Sequence, residues 1–164
     1  MKKIIIFSLI LFFNCENEIS DNIPSFQAKV NAFYPWNALD YSATISENSL
    51  ILNGFNQNGE VYLLLNNLVT GENCFNSNSE NYAYYQSKLS YVNERFRDTI
   101  RYSSLNNGTG IALLSEFCIN IDQVDFSNNF LTGDFYFNAY NYSGEYSINI
   151  SEGVFYKIPI NSVD

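Results

Sequence analysis

Short runs in which every second residue is apolar recur along this chain, separated by turns rich in Asn, Asp, Ser and Gly. An alternating pattern belongs to a strand, whose successive side chains point to opposite faces, and not to a helix. Phe26, Ala28 and Val30 fall on one face of the first run, with Gln27, Lys29 and Asn31 on the other. Pro35 lacks an amide hydrogen, so residues 32–39, which also hold the only tryptophan, Trp36, predict a sheet edge or a break. Residues 42–45 are expected to pair with 49–55 through a turn near Glu47-Asn48. Asn53-Gly54 lies inside an apolar run and reads as a bulge. Asn58-Gly59, flanked by apolar runs, is the stronger hairpin signal. Residues 60–68 carry apolar groups at both parities, Val61, Leu63 and Leu65 against Tyr62 and Leu64, which predicts a strand buried on both faces.

The pattern then weakens. Residues 70–86 are rich in Asn and Ser and predict a long connection holding one short strand near 82–85. Residues 89–101 alternate weakly, as a strand or one arm of a long hairpin, and Asn106-Asn107-Gly108 marks a turn. Residues 110–114 and 117–121 read as one continuous or kinked strand. A turn over 125–128 leads into 130–138, where Leu131, Gly133, Phe135 and Phe137 alternate with Thr132, Asp134 and Tyr136. The tail repeats the theme over 145–150 and 154–160, with Ser151-Glu152-Gly153 between them. No run holds a helical period with caps, and no segment repeats at a fixed interval. The expectation is an all-β domain, an antiparallel β-sandwich or flattened barrel of about 8–10 strands.

Ahead of that domain the patterning changes character. Met1-Lys2-Lys3 precede an apolar run that reaches Phe13, too short to cross a bilayer of about 30 Å as a helix, and together they form a secretory signal. Cys15 closes the run and resembles the cysteine of a bacterial lipoprotein signal, which becomes the lipidated first residue of the mature chain. Asn14 stands where the usual lipobox has a small residue, a relaxed form that occurs in Bacteroidota lipoproteins. An ordinary cleaved signal leaving a plain thiol is the other reading. The expected organisation is a signal peptide over 1–14, an acidic tether over 15–25 and one β domain over 26–164. Each buried methylene of an acyl chain contributes about 0.8 kcal/mol, so two or three chains (palmitate among them) give a lasting anchor. Glu16, Glu18 and Asp21 follow the cysteine. They resemble the export signal that carries Bacteroidota lipoproteins to the outer face of the outer membrane. A merely solvated tether, or a periplasm-facing leaflet, is the alternative.

Charge and composition narrow the function classes. The net charge of -9 falls to -11 once Lys2 and Lys3 leave with the signal, a surface that repels nucleic-acid backbones. The arginines at 95, 97 and 101 are interleaved with Glu94 and Asp98 and make no basic stripe. Aromatic residues reach 17%, with 13 Tyr and 14 Phe, which suits half-buried pleated surfaces and also the residue usage of AT-rich bacteria. Histidine is absent, and with it the commonest general base and the commonest transition-metal ligand. No cofactor and no metal are expected.

Cys74 and Cys118 form an even pair in an exported chain, which predicts a disulfide, with two buried free thiols as the other reading. Closing that loop would stabilise the fold by roughly 4 kcal/mol in the chain-entropy model. Asp122, Asp125 and Asp134, with Glu145 and Glu152, offer carboxylates for a glycosidase pair or for Ca²⁺, but their spacing matches no calcium loop and solvated turn positions account for them. Tyrosines cluster at Tyr82, Tyr84, Tyr85 and Tyr91 and again at Tyr136, Tyr140, Tyr142 and Tyr146. They hold no single parity, so alternate rings are expected in the core. Asp98-Thr99-Ile100 resembles the O-glycosylation sequon of Bacteroidota and places a candidate modification at Thr99.

Phe26-Gln27-Ala28-Lys29-Val30-Asn31 with Trp36, the strand Gly133 to Phe135 and Phe137, and the closing Gly153-Val154-Phe155 together resemble a family of small Bacteroidota lipoproteins known only as a domain of unknown function. The resemblance spans nearly all of residues 26–160 and implies an all-β, outer-membrane-associated fold with no known activity. It also implies a Gly-x-Tyr strand start where this chain has Gly71-Glu72-Asn73-Cys74. The expected function is a lipid-anchored, non-enzymatic β domain at the outer membrane or cell surface, binding a partner protein or a glycan. A carboxylate-dependent hydrolase and a purely structural envelope lipoprotein are the alternatives.

Overall fold

A computed structural model describes residues 23–76, 79–87, 101–104, 116–141 and 143–162. Cys15, Thr99, Tyr91, Tyr142 and the turn expected at 106–108 lie outside the described residues. The elements are β1 (Ser25–Val30), β2 (Tyr34–Asn37), β3 (Asp40–Ser46), β4 (Ser49–Phe55), β5 (Gly59–Leu65), β6 (Gly71–Asn76), β7 (Tyr82–Ser87), β8 (Arg101–Ser103), β9 (Glu116–Asp125), β10 (Phe130–Tyr140) and β11 (Ser147–Ser162). No helix occurs among the described residues. The fold is all-β as expected, with eleven described strands instead of 8–10 and one parallel pairing, β11 with β3, that makes the sheet mixed.

The pairings curl back on themselves. β10 pairs with β11, β11 with β3, and the order β3-β4-β5-β7-β8 returns to β10 through Tyr140 and Ser103. β1 and β2 branch off β11 on one side, while β9 and β6 branch off β10 on the other. Inward positions alternate strictly: Leu50 and Leu52 on β4, Val61, Leu63 and Leu65 on β5, and Leu131, Phe135 and Phe137 on β10 are all buried.

Several sequence expectations need correction. β5 stops at Leu65 and buries one face only; Tyr62 and Leu64 are half-buried on the outer face. Asn53-Gly54 is no bulge, since Asn53 and Gly54 pair regularly with Tyr62 and Val61. Gly54 instead leaves room for the ring of Phe26. The long connection expected over 70–86 contains a second strand, β6, which crosses the molecule to pair with β9. The tail is one sixteen-residue strand, not two. Ser151-Glu152-Gly153 is a bulge: Glu152 takes the left-handed conformation (φ 48°) while pairing to β1 and β10 resumes on either side. Lys157 (φ 49°) makes a second bulge, its amide donating to Thr132 Oγ1 at 3.1 Å. Such bulges bend a strand and increase its twist, which lets β11 leave β1 and reach β3.

The seam between β10 and β11 is built on two reciprocal pairs. Gly133 faces Phe155 and Gly153 faces Phe135 in register. A Cβ at Gly133 would overlap the Asn120 carbonyl oxygen and the Phe155 ring, and one at Gly153 would sit 2.5 Å from Phe135 Cε1. Each glycine therefore seats the opposite strand's ring flat on the backbone. Phe135 continues inward to Phe26 (centroids 5.4 Å, 66°), and Phe26 to Trp36 (5.5 Å, 87°). Edge-on aromatic packing of this kind adds about 0.5–1.5 kcal/mol per pair beyond area burial.

Urea denaturation separates close packing from backbone strain. Gly133→Ala is expected to cost about 3 kcal/mol or more. Gly71→Ala, where φ is +89° but nothing lies within 4 Å of an added Cβ, is expected to cost only about 1–2 kcal/mol.

Candidate functional site

A cavity of about 390 Å³ opens beside the β1–β2 hairpin. Tyr34, Pro35 and Trp36 from β2, Tyr85 from β7, and Val30 and Ile148 supply apolar surface, while Asn31, Asn58 and Ser87 supply the polar groups. Among the described residues no charged side chain lines it. Two aromatic side chains are anchored by their polar ends. Trp36 Nε1 donates to the Gly59 carbonyl at 3.3 Å, and the Tyr85 hydroxyl donates to the Asn58 carbonyl at 3.2 Å. Both anchors sit on the β4–β5 turn, which Asn56 shapes by accepting from the amides of Asn58 (2.8 Å) and Gly59 (3.1 Å). The turn that Asn58-Gly59 signals in the sequence thus becomes one wall of the cavity.

Tyr34 differs from the other rings. It is 69% exposed, and its neighbour Phe33 is 84% exposed. Both follow a tight turn in which the Phe33 amide donates to the Val30 carbonyl at 3.3 Å while Asn31 (φ 52°) and Ala32 (φ 62°) are left-handed. Alanine is a poor residue for that conformation, so the turn holds strain of order 1–2 kcal/mol beside two unburied rings. The Asn31–Asn149 contacts, amide to carbonyl at 2.7 Å and Asn149 amide to Asn31 Oδ1 at 3.1 Å, fix the turn against β11.

The outer faces carry the remaining sequence candidates. Tyr62 stacks on Tyr84 (4.8 Å, 10°) and Tyr82 (6.0 Å, 27°), while Tyr85 is in the core. The aromatic row runs across strands, which parity within one run does not reveal. Asp122 and Asp134 do come together, both accepting from Asn120 Nδ2 (2.8 and 3.0 Å), but on an exposed face and not across a cleft. Asp125 caps its own turn, accepting from the amides of Ser127 (3.0 Å) and Asn128 (2.9 Å) and from Asn128 Nδ2 (2.8 Å). Glu145 accepts from Ser143, and Glu152 pairs with Lys29 at 2.6 Å in an exposed ion pair worth under about 1 kcal/mol.

Cys74 and Cys118 are disulfide-bonded, facing one another directly in the β6–β9 register with Cα atoms 4.1 Å apart. The Tyr136 hydroxyl donates to Cys118 Sγ at 3.0 Å. Partial burial, with the negative charges of Glu116 and Glu72 nearby, pushes the Tyr136 phenol above its usual range.

A family model described as a domain of unknown function (DUF6252) matches residues 22–159. No curated protein and no solved structure matches the chain.

The Asp125 cap has a pH signature. The Asn128 side chain and amide and the Ser127 amide hold its carboxyl below the ordinary value of 3.8. A lowered folded-state pKa contributes stability that is present above the unfolded value and lost as pH falls through the folded one. Asp125→Ala is therefore expected to lower the melting temperature at pH 7, with the gap from the parent closing below pH 3.8. Calorimetry across that range measures it, and a gap independent of pH contradicts the cap.

Proposed function

The chain belongs to the DUF6252 family, whose function is unknown, and we propose that it is a lipid-anchored, non-enzymatic β domain of the outer membrane, facing the cell surface, that binds glycan in the cavity beside Tyr34. The observation that carries the binding reading is the lining of that cavity. Aromatic and apolar surface meets amide and hydroxyl groups there without a charge, a composition suited to the apolar face and hydroxyl rim of a neutral sugar. Trp36 and Tyr85, buried and with their polar ends already bonded, form a fixed floor beneath the cavity. Exposed Tyr34 supplies a wall that can close on it. The placement of Asp122 and Asp134 on an open face, sharing one amide donor, gives no support to a carboxylate hydrolase, which needs its pair flanking the scissile bond.

The anchoring half of the proposal rests on Cys15 at the end of a short apolar run and on the acidic residues behind it. Growth with radiolabelled palmitate is expected to label the parent protein and leave Cys15→Ser unlabelled. An unlabelled parent recovered from the cytosol contradicts the anchor.

Binding is tested on a glycan array followed by titration of the best neutral hit. Tyr34→Ala, at an exposed position that leaves the fold intact, is expected to weaken binding by about tenfold, equivalent to roughly 1.4 kcal/mol. A blank array, or unchanged affinity in the variant, overturns the glycan reading. Cross-linking on intact cells that captures a protein at the Tyr62–Tyr82–Tyr84 face would replace it with a protein partner.

A further inference from the structure

The register of β6 on β9 gathers more than a disulfide. Glu72, Cys74 and Asn76 share one face of β6, and they meet Asn120, Cys118 and Glu116 respectively on β9. Cys118 in turn faces Tyr136 on β10. One ligand atom each from Cys74, Cys118 and the Glu116 carboxylate lies within 4.8 Å of the others. We propose that these three residues form a redox-gated site for a soft divalent cation such as Zn²⁺ or Cd²⁺, closed while the disulfide stands and opened by thiol–disulfide exchange.

Cys74 is the exposed sulfur and Cys118 the buried one, so an external dithiol attacks at Cys74. Its thiolate forms a mixed disulfide there and expels Cys118 as thiolate. The second thiol of the reagent then displaces Cys74, so the reagent leaves oxidised as a cyclic disulfide and both cysteines remain reduced. A cation binds the two reduced cysteines as thiolates and displaces the two thiol protons to solvent.

Reduction need not scatter the ligands. Six register pairs, Gly71 with Ile121 through Asn76 with Glu116, hold the strands together. Phe75 packs on Phe117 at 5.7 Å on the opposite face. Metal–sulfur bonds of about 2.3 Å in a tetrahedral site place sulfurs roughly 3.8 Å apart, within reach of side chains directly opposite in a sheet. Two thiolates select soft metals over Mg²⁺ or Ca²⁺, while Glu116 and nearby Glu72 add negative charge. The Tyr136 hydroxyl, 3.0 Å from Cys118 Sγ, supplies a hydrogen bond that orients that ligand. The site shares no residue with the aromatic cavity and does not depend on the glycan reading.

The test uses the full chain, reduced with a phosphine, freed of reductant under argon and titrated with Cd²⁺. The expected result is an ultraviolet thiolate-to-cadmium band that saturates at about one equivalent in the reduced protein and is absent in the oxidised one. Circular dichroism is expected to show the sheet intact in both. Glu116→Gln, which keeps both cysteines, is expected to weaken binding by about tenfold or more. Loss of the sheet on reduction, no band in a folded reduced protein, or equal affinity in the Glu116→Gln variant each overturns the proposal.

Discussion

Where β10 and β11 meet, two phenylalanine rings lie on backbone that carries no side chain, Phe155 on Gly133 and Phe135 on Gly153. That reciprocity is the constraint on which the other contacts depend. A strand as long as β11 can serve β1, β10 and β3 only if its register is fixed, because a one-residue slip turns every inward side chain outward. The glycines fix it sterically: a Phe ring fits over Gly133 or Gly153, and a ring displaced by one residue meets a Cβ instead. The bulges at Glu152 and Lys157 then bend β11 on either side of these anchored points, and the parallel contact of Ile160 with Ala43 closes the sheet.

The same packing reaches the cavity. Phe135 touches Phe26, Phe26 touches Trp36, and Trp36 bonds the Gly59 carbonyl at the tip of the β4–β5 hairpin. A binding surface needs rigid support beneath it and adaptable groups at its rim. Here Trp36 is 1% exposed and Tyr85 5%, while Tyr34 at the mouth is 69% exposed and opens β2 just after a strained two-residue turn. The pale chemistry of the lining, apolar rings with amides and hydroxyls, suits a chain without histidine in which the described carboxylates Asp122, Asp125, Asp134, Glu145 and Glu152 sit on turns or outer faces.

Period and turn chemistry made most strands legible, since Phe26 to Val30, Ser49 to Phe55 and Phe130 to Phe137 each carry their buried face in plain alternation. What local pattern could not carry was partnership. β6 reads as a polar connection because four of its six residues, Gly71, Glu72, Cys74 and Asn76, are exposed; its strand character comes from β9 and the disulfide. Ser151-Glu152-Gly153 looks like a turn because a left-handed residue before glycine serves both turns and bulges, and pairing on both sides decides between them. Pro35 was visible as an edge or break marker, but a cavity assembled from positions near 30, 58, 85 and 148 exists only once long-range register is set. The cysteine pair was readable from its even count, whereas Tyr136 beside it was not, being brought there by the β9–β10 alignment.

Native-state hydrogen exchange tests the seam most directly, because it reports which pairings survive every opening short of global unfolding. The amides of Phe135, Phe137, Ile150 and Val154 are expected in the slowest class, with an opening free energy equal to that of global unfolding. Exchange of those amides through a cheaper partial opening, while the β4–β5 hairpin stays protected, would contradict the account.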